Sequence, residues 1–154
     1  YAAKIQQIRD AVPDIAITTD VIVGFPQETD EEFEMTRRFI EEIGYSELHV
    51  FPYSKRKNTP AARMPGQVPE NVKHDRVHVL LELSRHLHEQ YASRFIGRTL
   101  EVIFEEVDRE HQLIGHASNY LKVMIPYEPD MIGKVTTVRV LSYEAPYCLA
   151  ELEE

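Results

Sequence analysis

Thr19-Asp20-Val21-Ile22-Val23-Gly24-Phe25-Pro26-Gln27-Glu28-Thr29 decides the fold of the first half of this chain. Val21, Ile22 and Val23 form a continuous β-branched run, the pattern of a strand covered on both faces. Gly24 and Pro26 end that strand. Thr29 and Glu32 then have the spacing of a capping box, in which hydroxyl and carboxylate close the first helical turn. The helix that follows is expected to carry Phe33, Phe39, Ile40 and Ile43 towards the sheet, and Gly44 supplies a left-handed stop. Leu48-His49-Val50-Phe51 is a second apolar strand. Strand, helix and strand make a βαβ unit. Such units build parallel sheets whose sites lie at the carboxyl ends of the strands.

Before this unit, residues 1–10 read as an amphipathic helix, with Ile5 and Ile8 followed by Val12. After it, residues 69–94 read as one long linker helix. It starts behind Pro69, spaces Val72, Val79, Leu80, Leu83, Leu87 and Tyr91 along an apolar stripe, and stops short of Gly97. The stripe suits core contact better than a partner groove. Residues 95–154 alternate strands with turn signals. Leu100 to Phe104, Asn119 to Ile125, Val135 to Leu141 and Tyr147 to Leu152 are strand candidates, short and evenly spaced as in a small barrel or sandwich. The Glu-rich segments, Glu105 to Asp108 and Glu151 to Glu154, read as solvated loop and tail.

Composition narrows the function. No apolar run approaches the length that spans a membrane, so no membrane partner is expected. The single cysteine, Cys148, excludes an intramolecular disulfide framework and suits a reducing, cytoplasmic compartment. It reads as a buried strand residue rather than a nucleophile. The net charge is −9, and residues 90–154 hold six Lys/Arg against eleven Asp/Glu. Phosphate binding needs local positive potential, so any nucleic-acid role rests on a clustered face. His74 and His78 share a helix face, but no cysteine or carboxylate cluster completes a metal site of the usual ligand count. A solvated face is the simpler reading, and no metal site is expected here. No Ser/His/Asp arrangement stands out.

The run from Thr19 to Thr29, with Leu48-His49-Val50-Phe51-Pro52-Tyr53-Ser54 and Thr59-Pro60-Ala61, resembles the radical S-adenosylmethionine methylthiotransferases. The tail resembles the small RNA-binding TRAM barrel that ends those enzymes. The matching residues are Gly97-Arg98-Thr99-Leu100-Glu101-Val102, Gly115 to Val123, and Gly133-Lys134-Val135. The branch acting on threonylcarbamoyl-adenosine in tRNA is the nearest in character, partly through Tyr143-Glu144-Ala145-Pro146. The implied architecture is an α/β partial (βα) barrel segment followed by a small all-β, five-stranded, OB-like TRAM barrel. Residues 1–68 would close the radical barrel, 69–94 link, and 95–154 bind RNA.

The resemblance implies an enzyme that adds a methylthio group to C2 of a hypermodified adenosine beside the tRNA anticodon. Its cofactors would be S-adenosylmethionine and two [4Fe–4S] clusters. Thiolates are the usual protein ligands of such clusters, and one cysteine in the tail does not supply them. The chain is therefore expected to be a carboxy-terminal fragment, inactive alone and binding none of these groups itself. The competing reading is a complete small protein on a shortened βαβ core.

Resemblance places Asp20, Val23, Gly24, Phe25 and Tyr53 around the cofactor, with Gly24 admitting a close backbone approach. Read without it, Gly24 to Glu28 is equally a strand-to-helix turn with no ligand. The family commonly has glycine where Gln27 stands, and often at Asn58. Lys55, Arg56 and Lys57, beside Phe51 and Tyr53, form either a phosphate-contacting patch or a solvated basic loop. In the tail, Arg98, Asn119, Tyr120 and Lys122 offer an RNA-facing strand surface, with Lys134 and Arg139 extending it, although Tyr120 also suits a core. Two other functions stay open: a stand-alone RNA-binding module, and a methylthiotransferase acting on a ribosomal protein. A partial barrel exposes sheet edges, so the fragment is expected to form homodimers.

Overall fold

The computed structural model describes residues 1–153 and divides into two units, residues 1–88 and the chain from Glu89 onward. In the first unit, α1 spans Ala2–Ala11, β1 Thr18–Val23, α2 Asp30–Ile43 and β2 Glu47–Pro52. β1 and β2 pair in parallel, with Thr18 opposite Glu47 and Val23 opposite Pro52. α2 begins where its capping box dictates. The Thr29 hydroxyl accepts from the Glu32 N–H at 3.2 Å, and the Glu32 carboxylate accepts from the Thr29 N–H at 2.9 Å. At its far end Gly44 adopts φ 65°. The Arg9 guanidinium donates to the Ile43 and Gly44 carbonyls, each at 2.6 Å, placing a cation where the helix dipole favours one.

The long helix, α3, spans Glu70–Ser93 and so begins in the first unit and ends in the second. The first unit's core joins Ile5, Val23, Ile40, Ile43, Tyr45, Leu48, Leu80 and Leu87. It lies on one face of the two-stranded sheet. The other face, formed by Thr18, Asp20 and Ile22 with Glu47, His49 and Phe51, is exposed. Ile22 is 59% and Phe51 51% exposed, which corrects the expectation that β1 is covered on both sides. Alternation along a strand sends every second side chain away from the helices, and no described element covers that second face.

Two further apolar positions differ from the pattern. Phe39 does not face the sheet; it is 40% exposed and its ring lies 5.9 Å from that of Tyr1. In α3 the buried stripe is Lys73, Arg76, Leu80, Ser84 and Leu87, while Val79 is exposed. Ser84 has a packing reason to be inside: its hydroxyl accepts from the Leu48 N–H at 3.0 Å, satisfying a backbone donor of β2.

In the second unit, β3 (Thr99–Val107), β4 (Gln112–Ala117), β5 (Lys122–Pro126), β6 (Val135–Glu144) and β7 (Tyr147–Leu152) close a barrel in the order β3-β4-β5-β7-β6. All pairings are antiparallel except β5 with β7. Its interior holds Val102, Phe104, Leu113, Val123, Ile125, Val138, Val140 and Cys148, each at most 1% exposed. Burial pushes the Cys148 thiol up to about 11, as befits an inert packing residue.

β4 was absent from the strand pattern, and Asn119 to Leu121 form a turn before β5 rather than its start. Glu105 and Glu106 belong to β3 and Glu151 to β7, not to loops. Glu153 pairs with Arg139; Glu154 lies outside the described residues.

Candidate functional site

At the carboxyl end of β1 the chain turns sharply at Gly24, φ 72°. The Gly24 N–H donates to the Glu28 carboxylate at 2.7 Å. The same Glu28 oxygen accepts from Arg76 of α3 at 2.5 Å, and the other Arg76 amino group reaches Asp30 at 2.7 Å. Arg76 is 5% exposed, and its guanidinium lies 5.3 Å from the Phe33 ring centroid. A desolvated ion pair of this kind is costly to break from one side. Lys73, also 5% exposed, runs past the loop and donates from Nζ to the Tyr53 carbonyl at 3.1 Å.

That path explains Gly24. A Cβ there would stand 2.2 Å from Lys73 Cγ. The glycine thus seats the Lys73 side chain against the turn. Gln27 does take the left-handed conformation its glycine-prone position demanded, φ 74°, and its N–H is held by the Gly66 carbonyl at 2.7 Å. Asn58 is left-handed too, at φ 67°.

The remaining cofactor candidates separate. Val23 is 1% exposed and belongs to the core, so its side chain faces the helices and lines no open surface. Asp20 lies on the uncovered sheet face, opposite His49 in the register. Phe25 and Tyr53 come together edge to face, with ring centroids 5.3 Å apart. Phe25 is 45% exposed and the Tyr53 hydroxyl has no hydrogen-bond partner. The half-exposed Phe25 ring offers a π-face beside the enclosed Tyr53 hydroxyl. An open groove of about 630 Å³ adjoins Phe25, between the loop and Met35, Thr36 and Phe39 of α2. An iron–sulfur cluster finds no fit: the one cysteine is enclosed in the barrel. No group of three or more metal-ligating side chains occurs among the described residues.

Lys55, Arg56 and Lys57 are exposed on the loop after β2. The loop is pinned beneath them, since the Thr59 hydroxyl donates to the Arg56 carbonyl at 2.9 Å. In the second unit the turn between β4 and β5 presents Tyr120, which is 82% exposed at φ 65°. A bulky residue in the left-handed region is strained, and one so exposed contributes nothing to a core. Asn119 holds this turn, its side-chain oxygen accepting from the Leu121 N–H at 3.4 Å. It stands in the turn and not on a strand face.

Lys122 opens β5, exposed, opposite His116. Arg98 lies apart from this group. It precedes the start of β3, while the turn pairs near Val102, roughly 13 Å further along the strand at about 3.3 Å per residue. Arg139 is engaged with Glu153 and the Gly97 carbonyl. Tyr120 itself lines an open groove of about 600 Å³ with Glu101, Ile103, Glu105, His116 and Val135. The two carboxylates disfavour phosphate inside the groove, and Lys122, across from His116 in the register, is the cation beside it. Lys73, Arg76 and Ser84 were invisible as site or support residues in the sequence. Only their spacing at i, i+3 and i+11 on the Leu80 face marked them.

Residues 93–152 match the TRAM domain family. Nearly the whole chain is similar to tRNA-modifying enzymes. It is 49% identical over 151 residues to the threonylcarbamoyladenosine tRNA methylthiotransferase MtaB of Bacillus subtilis, covering 96% of this chain and 34% of that protein. It is 37% identical to the tRNA-2-methylthio-N(6)-dimethylallyladenosine synthase of Protochlamydia amoebophila, covering 99% and 34%. With the corresponding enzyme of Aquifex aeolicus the identity is 36%, covering 97% and 33%. The chain thus spans about a third of the length of these curated relatives.

Proposed function

We propose that this chain, which carries a TRAM domain and is similar over nearly its whole length to tRNA methylthiotransferases, is the part of such an enzyme that grips tRNA and completes the cofactor wall. The full protein would add a methylthio group to C2 of a hypermodified adenosine beside the anticodon, in the cytoplasm. Residues 1–68 would end a (βα) barrel, 69–94 would link, and 95–154 would bind RNA. The exposed Ile22–Phe51 face supports the first assignment, since an apolar strand face needs a cover. S-adenosylmethionine, when bound in such enzymes, supplies the methyl group and a radical-generating sulfonium. Here Phe25 and Tyr53 would hold its nucleoside, with Asp20 on the adjoining strand face. The clusters would depend on residues other than those described.

The observation that carries the RNA assignment is Tyr120, an aromatic ring held out at φ 65° two residues before an exposed lysine. Stacking on one base is worth about 1–3 kcal/mol. Tyr120→Ala is therefore expected to weaken tRNA binding by roughly 5- to 150-fold. Lys122→Glu removes a phosphate contact and lowers the salt slope of binding by about 1. Lys55, Arg56 and Lys57 form a second basic cluster, and Arg98 a separate contact. Filter binding of anticodon stem-loop RNA to the chain and both variants tests this. Unchanged affinity in both would reject the face.

With its sheet face uncovered, the chain alone is expected to self-associate through β1 and β2. Sedimentation at increasing concentration checks it, and Ile22→Lys should restore the monomer. A monomer at all concentrations would contradict it.

A further inference from the structure

We propose that His74 and His78 form a two-histidine clip for a divalent first-row transition cation such as Zn²⁺ or Ni²⁺. The two residues stand one turn apart on the exposed side of α3, and their Nε2 atoms converge to 3.2 Å. Zinc–imidazole bonds of about 2.0–2.1 Å at a tetrahedral angle place two ligand nitrogens roughly 3.3 Å apart. The pair already has that separation, with its ring planes at 73°.

The surroundings favour a cation. The Asp75 carboxylate lies 3.9 Å from His74 Nδ1, the nitrogen turned away from the clip, beyond hydrogen-bond distance but near enough to add negative potential beside the ion. The nearest lysine, Lys73, points to the buried side and is bound to Glu70, so its charge does not oppose the ion. Glu82, one turn beyond His78, is held by Arg85 and is not a donor. Since no third protein ligand joins the pair among the described residues, water completes the coordination. The backbone scaffold is a continuous 24-residue helix, so binding orders little more than two side chains.

A neutral imidazole–imidazole hydrogen bond has the same separation, and the two arrangements differ in their response to metal. Calorimetric titration of the untagged chain with ZnCl₂ and NiCl₂, paired with imidazole C–H shifts by NMR, separates them. We expect one equivalent bound, with His74 and His78 resonances moving together. His74→Asn and His78→Asn should each weaken binding by about tenfold or more, whereas His86→Asn should not. Absence of binding, or binding that survives the His74→Asn/His78→Asn double variant, would overturn the proposal. The variants lie on an exposed helix face, and unchanged far-UV circular dichroism confirms their fold.

Discussion

Arg76→Met destabilises the first unit by about 3–5 kcal/mol. The side chain is nearly enclosed, and so is its main partner. Arg76 is 6% exposed at the side chain and Glu28 15%, while Asp30 is 90% exposed. The Asp30 arm therefore contributes little, as exposed pairs do, and the Glu28 arm carries the effect. Methionine keeps most of the packing but leaves the Glu28 carboxylate in place with the Gly24 N–H as its remaining partner. A buried charge without its counter-ion then drives the loop from Gly24 to Asp30 outwards. Arg76→Met/Glu28→Gln should recover much of the loss, since no unpaired charge remains. Urea unfolding with hydrogen exchange at the Gly24 amide measures both. A loss under about 1 kcal/mol in the single variant would show that α3 does not anchor the loop.

Phe104→Ala opens the barrel by about 3–5 kcal/mol, the usual cost of deleting a fully buried ring. Phe104 is 0% exposed and sits opposite Gly115 in the β3–β4 register. The two positions are complementary. A Cβ on Gly115 would stand 2.3 Å from the Ile103 carbonyl oxygen, against backbone that cannot rotate aside. Gly115→Ala should therefore cost about 1–3 kcal/mol through overpacking.

The barrel contains its own reporter. Cys148 is the one cysteine, 0% exposed, with its thiol pushed up to about 11. Native-state alkylation then proceeds through opening, and its rate follows the open population. Labelling of Phe104→Ala should accelerate by roughly 100- to 5000-fold. An unchanged rate would place Cys148 outside the cooperative barrel unit.

What was legible in the sequence was local. The Thr29–Glu32 box, the Gly44 stop and both parallel strands are short-range devices, and each formed where its residues required. Other features depended on distant neighbours. Nothing local marks Lys73 and Arg76, because the groups that bury them, Gly24 and Glu28, lie more than forty residues earlier. Phe39 read as core because helical periodicity shows which residues share a face, not whether anything covers it. β4 was missed because Gln112-Leu113-Ile114-Gly115-His116-Ala117 breaks alternation with the glycine that lets β3 come close. Asn119 and Tyr120 run without a break into the Leu121, Val123, Ile125 alternation, so nothing local separates the turn they form from β5. The family resemblance rested on those motifs and reached further than the physics of any one segment.

The measurement that tests the central claim most directly is the affinity of this chain for tRNA as salt is varied. A net charge of −9 opposes binding, so the affinity must come from clustered cations. With Lys55, Arg56, Lys57 and Lys122 on phosphates, log K should fall against log salt with a slope of about −3. The slope should become shallower in Lys122→Glu. No binding at low salt, or a slope near zero, would contradict the account of this chain as the tRNA-gripping part of a methylthiotransferase.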